Sequence, residues 1–194
     1  MRRLLLSFLL PLLVLPAFAQ NSADPNPELV RFDRNHSTLG FNVPIVMGLS
    51  KVTGKFTDFS ADLIWKAEDL EASSVQLKIN VESIDTGIEA RNNHLKSDAF
   101  FDVALYPTIT FASSNIRKNG DDYLVDGTIV MHGIAREITI PLNVRTFTEG
   151  EQSWTSFRVI TTLDRTDFGM NWKHSNADFF VGNEIETDIV LLTR

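Results

Sequence analysis

The 194-residue sequence contains no cysteine. Disulfides, thiol catalysis, CxxC redox chemistry and thiolate metal sites are therefore excluded, and stability has to come from packing. Basic residues are in the minority, 18 Lys and Arg against 25 Asp and Glu, and they form no run. A net negative chain of this kind is a poor nucleic-acid binder. Tyr and Trp are scarce, 2 and 3 against 14 Phe, so most of the aromatic area carries no hydrogen-bonding handle. Beyond the first residues, no apolar run approaches the roughly 18 residues of a membrane span. The nucleophile-elbow, P-loop, dinucleotide and zinc-protease motifs are all missing. His36, His94, His132 and His174 stand at no ligand spacing from one another. No metal site, no cofactor and no catalytic residue is expected from them.

What is present begins with residues 1–19, which read as a secretory signal: Arg2 and Arg3, an apolar run from Leu4 to Leu15, and Ala17-Phe18-Ala19 as a cleavage site. Cleavage there predicts export, most simply to a periplasm, and Gln20 in place of cysteine excludes a bacterial lipid anchor. Residues 20–31, with Pro25 and Pro27, read as a flexible leader, and residues 32–194 as one domain.

Period-two alternation dominates that domain. Ser37, Leu39, Phe41, Val43 and Ile45 share one strand face, although Pro44 limits how central that strand can be. Lys51 to Lys66 reads as a strand pair or one long bent strand with a parity switch at Thr57-Asp58. Further strands follow through Val75 to Val81, Thr108 to Ile116, Tyr123 to Met131, Ile138 to Val144, Trp154 to Asp164 and Glu184 to Thr193. Turn signals at Asn119-Gly120-Asp121-Asp122, His132-Gly133 and Glu149-Gly150-Glu151 separate several of them. Two stretches lack alternation: residues 84–106, read as one or two short helices, and residues 165–183, read as an irregular loop. The sum is an all-β chain of roughly eight antiparallel strands, a sandwich or a barrel.

Seven segments in order resemble the YceI family of periplasmic, lipocalin-like proteins. They are Asp33-Arg34-Asn35-His36-Ser37, Val52-Thr53-Gly54-Lys55-Phe56, Ser83-Ile84-Asp85-Thr86-Gly87 with Arg91, His94 and Leu95, Phe100-Phe101-Asp102, Tyr106 to Phe111, Gly127 to Gly133, and Arg165 to Asn171. Asn92 stands where the family usually has Asp, and Pro44-Ile45 where many members carry His. The resemblance implies an eight-stranded antiparallel lipocalin-like barrel with a short helical lid around residues 84–106. It implies a polyisoprenoid or similar long-chain amphiphile, such as a quinone or polyprenyl phosphate, as ligand, no catalytic reaction, and a link to stress response in some members. Transient membrane contact and a homodimer are further partner expectations.

Alternation places Leu39, Phe41, Val43, Phe56, Leu77 and Ile79 inward, with Ile109, Phe111, Val125, Ile129, Ile140 and Leu142 across from them. On periodicity alone a solid Phe-rich core without ligand is the favoured reading for these residues, an eight-stranded barrel being just wide enough to be filled or to hold one small ligand. With the resemblance they become a ligand-binding lining, joined by Arg91, His94, Phe100 and Phe101 from the lid. Arg91 then has two readings: a donor for a polar or phosphate head, or a partner of Asp98 or Asp102 that orders the lid.

Overall fold

The computed structural model describes residues 29–175, 177 and 180–193. The signal at 1–19 and the leader through residue 28 lie outside the described residues.

Among the described residues, ten strands form one antiparallel sheet. They are β1 (Thr38–Ile45), β2 (Ser50–Phe56), β3 (Phe59–Ile64), β4 (Ser74–Asn80), β5 (Ile84–Asp85), β6 (Thr108–Asn119), β7 (Asp122–Met131), β8 (Ile134–Glu149), β9 (Gln152–Asp164) and β10 (Glu184–Thr193). One α-helix, α1 (Glu89–Lys96), follows β5. The lateral order is β3-β4-β6-β7-β8-β9-β10-β1-β2-β5. β2 at one side of that list and β3 at the other are separated in sequence by Thr57 and Asp58 alone. The chain itself therefore brings the two sides of the sheet together. β2 pairs with β1, and β3 continues past the bend to pair with β4.

The fold is thus the expected lipocalin-like barrel, with a different strand count. Eight was expected and ten are found. The bend divides one long strand into β2 and β3, and the other extra strand is the two-residue β5, which pairs with Lys55 and Phe56. The seam is dressed on both sides of the bend. The Asn80 amide donates to the Asp58 carbonyl, and the Thr57 amide to the Ser83 carbonyl. On the far side Leu29 bridges Ile64 and Phe32 bridges Thr193.

Pro44 is less restrictive than its sequence position suggests. β1 is central, between β10 and β2, but its ladder with β10 ends at Asn42 and Glu186. Pro44 lies past that point, and its carbonyl accepts from the Gly182 amide at 2.8 Å. No ladder donor is lost, which is how proline is tolerated in a sheet.

β6 runs to Asn119, three residues beyond the predicted end, with a register shift between Ser113 and Asn115. The Ser113 hydroxyl accepts from the Val75 amide at 2.9 Å beside that shift, so the disturbed ladder keeps a partner there. The tight turns carry the expected residues: Gly120 sits at φ 65°, and His132 and Gly133 at 52° and 73°. Left-handed pairs of this kind match the twist of a hairpin.

The barrel has two unlike ends. Short turns and the segment 29–37 gather at one. At the other, two long connections meet: residues 86–107, which contain α1, and residues 165–183, which begin with a 3-10 turn at Arg165–Phe168.

Candidate functional site

The barrel interior is hollow. It holds a cavity of about 510 Å³ whose walls are almost wholly apolar. That volume falls in the range of small-molecule sites. All the residues placed inward by alternation line it. Leu39, Phe41 and Val43 come from β1, Phe56 from β2, and Leu77 and Ile79 from β4. Ile109, Phe111, Val125, Ile129, Ile140 and Leu142 come from β6, β7 and β8. Several of them, Val43, Leu77 and Ile140 among them, are only half-buried.

Two glycine–phenylalanine pairs explain how a Phe-rich wall leaves a bore. Phe41 is the register partner of Gly54. A Cβ on Gly54 would lie 2.3 Å from the tip of the Phe41 ring. Gly127 lies diagonally across the β6–β7 ladder from Phe111, and a Cβ there would lie 2.5 Å from the tip of that ring. Each ring lies against the wall over a missing side chain instead of standing into the lumen.

The deep end is closed. Leu63, Ile116, Val125, Leu142, Phe157 and Leu191 line it, and all are buried. Behind them stand crossed rings. Trp65 meets Phe157 at 5.4 Å and Tyr123 at 4.9 Å between centroids, and Phe32 meets Phe157 at 6.5 Å, all edge-on.

The other end is a mouth, where lining residues reach solvent. His94 lines the cavity and is exposed, while Arg91, Leu95, Trp172, Phe180 and Val181 are half-buried. Phe100 and Phe101 pack under α1. Phe101 meets Phe56 at 6.1 Å, and Phe100 meets His94 at 5.1 Å and Trp172 at 5.2 Å. Trp172 also touches His94 and His174, and His174 touches Phe180. Imidazole and aromatic rings thus run in a chain from α1 across to the 165–183 loop.

Arg91 is held by neutral groups. Its Nε donates to the Thr86 hydroxyl at 2.8 Å and its Nη2 to the Thr86 carbonyl at 2.7 Å. The Thr86 hydroxyl in turn donates to Asn92 Oδ1 at 2.6 Å, which also accepts from the Thr86 amide. Neither Asp98 nor Asp102 pairs with Arg91, so the lid-ordering reading of those two carboxylates is corrected: Thr86 does that work. Asn92 satisfies two donors without bringing a charge, and Arg91 keeps a guanidinium with no carboxylate partner among the described residues. Lys96, by contrast, is spent on Glu82 at 2.7 Å.

Arg165 is the second guanidinium at this end, 5% exposed. Its nitrogens donate to the carbonyls of Gly182, Met170 and Val181 and to Asn183 Oδ1. Burial pulls its pKa down, while the Asp164 charge pushes it up. It ties both ends of the 165–183 loop together. Asp164 caps the turn that starts the loop. The Thr166 hydroxyl at 2.6 Å, then the Thr166 amide at 2.8 Å, hold its carboxyl below the ordinary aspartate value.

Alternation could not reveal Trp172, Phe180 or Arg165, because they sit on a segment without a period. The available signal was compositional: large aromatic side chains in a non-strand loop have to be placed somewhere. Among the described residues no group of three or more His, Asp or Glu could hold a metal ion. His36 pairs with Asp33 at 2.9 Å, and the His132 ring bonds the Phe168 carbonyl at 2.9 Å.

Comparison with protein families matches residues 31–192 to the YceI-like domain. The chain belongs to the YceI-like family. Its relatives include a UPF0312 protein of Shewanella baltica, 28% identical over 98% of this chain and 97% of that one. A UPF0312 protein of Pseudomonas aeruginosa is 30% identical over 64% of this chain and 66% of its own. Among solved structures, BcnA of Burkholderia cenocepacia superposes with a TM-score of 0.75 at 24% identity, covering 84% of this chain and 100% of that one. A polyisoprenoid-binding domain from Saccharophagus degradans, implicated in plant cell wall breakdown, gives a TM-score of 0.61 at 20% identity, over 84% and 95% of the two chains. Both share the fold of this chain.

Proposed function

We propose that this YceI-like protein is a periplasmic binding protein that sequesters or carries one long-chain amphiphile of polyisoprenoid type. The tail occupies the lumen and the head group meets Arg91 and His94 at the mouth. One observation carries the reading: an apolar lumen, closed at one end, is bordered at the other by a guanidinium, Arg91, that has no carboxylate partner among the described residues. A filled structural barrel would have no use for either feature.

The physics agrees in direction. Each Å² of tail buried contributes roughly 25 cal/mol. An empty apolar cavity costs stability that an occupant returns. A cation at the rim suits a phosphate or other anionic head, and its hydrogen bonds are the stronger charge-assisted kind. The likeness to a polyisoprenoid-binding domain supports the class of ligand. The signal-like residues 1–19 support the compartment. Transient contact with a membrane would load the barrel. No catalytic step is part of the reading.

Native mass spectrometry before and after solvent extraction tests it. Gently purified protein is expected to carry a lipid adduct that extraction removes. The stripped protein is expected to bind one molecule of a quinone or polyprenyl phosphate probe. Absence of both the adduct and the rebinding would overturn the proposal.

A further inference from the structure

The lumen has a fixed depth, and its deep end is built differently from its walls. Phe157 of β9 lines that end and is 5% exposed. Its strand partners there are Val144 of β8 and Leu191 of β10. Trp65, Tyr123 and Phe32 line none of the cavity; they stand behind Phe157. The Phe157 ring is crossed by Trp65 at 77° and by Phe32 at 88°, and Trp65 is crossed in turn by Tyr123 at 88°. A ring braced edge-on by two others cannot rotate away without driving into them, because packed interiors leave no free volume for such a swing.

The upper walls are different. There Phe41 and Phe111 lie over glycines, and the lumen stays open. Both long connections are at the mouth, so a tail that enters there advances until it meets Phe157.

We infer that Phe157, held by Trp65 and Phe32, is the stop that sets the longest tail this barrel accepts. The inference rests on the reading of the lumen as a lipid-tail site and adds to it a limit on chain length. Each carbon that fits gains up to about fourfold in affinity, and the first that meets the stop gains nothing. Affinity should therefore climb with tail length, then level off or fall at one length.

The experiment is a titration of extracted full-length protein with prenols stepped by one isoprene unit, read by native mass spectrometry. Wild type is expected to show a break in the affinity profile. Phe157→Ala should move the break to a longer prenol by at least one unit. Leu142→Phe, which adds a ring at the same depth into existing space, should move it to a shorter one, and it serves if Phe157→Ala does not fold. A wild-type profile without a break, or an unmoved break in a folded variant of either kind, overturns the inference while leaving lipid binding intact. Failure of wild type to bind any prenol, quinone or polyprenyl phosphate overturns the underlying lipid reading and the inference with it.

Discussion

The two ends of the barrel use aromatic rings for opposite purposes. At the closed end, Trp65, Tyr123, Phe32 and Phe157 contact one another edge-on and leave no room. At the mouth, Phe100, Trp172 and Phe180 alternate with His94 and His174 along two connections that are not strands. In the first set, Tyr123 and Phe157 sit on the paired strands β7 and β9, Phe32 is pinned by its bridge to Thr193, and Trp65 directly follows β3. The second is held by polar ties: Arg165 to the backbone of its loop, and Arg91 to Thr86. Stability should therefore be concentrated at the closed end and selectivity at the mouth.

The sharpest way to break that division is at Trp65. Trp65→Ala removes the ring that braces Phe157 and should cost about 3 kcal/mol in denaturant unfolding, the low end for a large aromatic truncation. A loss below about 1 kcal/mol would mean that the closed end is not the stable one.

Gly54→Ala comes next. The new methyl takes the space of the Phe41 ring tip and pushes that ring into the bore. The expected result is a fold destabilised by about 1–3 kcal/mol, typical of overpacking, and a weaker bound-lipid affinity in titration. The double variant with Phe41→Leu should recover binding in the same titration. Unchanged affinity in Gly54→Ala would show that the rings do not set the bore.

At the mouth, Asn92→Asp is the most discriminating change. An aspartate can accept the same two bonds from Thr86, and it places a carboxylate beside the Arg91 network. Affinity for a polyprenyl phosphate should fall about tenfold, the scale of one charge-assisted hydrogen bond, while the matching prenol is unaffected. Isothermal titration of the two ligands, repeated at high salt to screen the charge, distinguishes these outcomes. An equal loss for both would assign Arg91 a purely structural role.

The smallest effect is a pH dependence at Asp164. Its carboxyl is held below the unfolded value of about 3.9 by Thr166. A depressed carboxylate contributes stability that is complete above the unfolded pKa and is lost as pH falls through the lower folded value. Asp164→Asn should flatten the acid limb of the unfolding midpoint in that window and leave neutral pH little changed. A steeper acid limb in the variant would contradict the assignment.

Strand parity was legible because it is local. Alternation from Leu39 to Val43, Leu77 to Ile79 and Ile109 to Phe111 depends only on which side each residue faces, and one face of every strand had to be apolar. The bend at Thr57-Asp58 was legible for the same reason: the parity of Phe56 and Phe59 differs across it. Hollowness was not legible. Periodicity allowed Phe41 and Phe111 to fill a core as well as to line a cavity, and it is Gly54, opposite Phe41, and Gly127, diagonal to Phe111, that leave room for the rings to lie aside. Nor was the pairing of Arg91, which depends on how the chain at Thr86 returns to α1. Family motifs pointed to the fold and the lid, while the electrostatics at the mouth needed the three-dimensional arrangement.

The bend at Thr57-Asp58 and the place of β10 also constrain the order of assembly. β10 lies between β9 and β1, with Thr38 opposite Val190. Every wall strand has a neighbour close in sequence, β1 in β2 included, but the other edge of β1 waits for β10. Closure is therefore a late event with a large loop-entropy cost, as expected for a slow-folding, long-range topology. Until then both β1 and β9 present a free edge. Until β10 is in place the lumen stands open along its side to the surroundings.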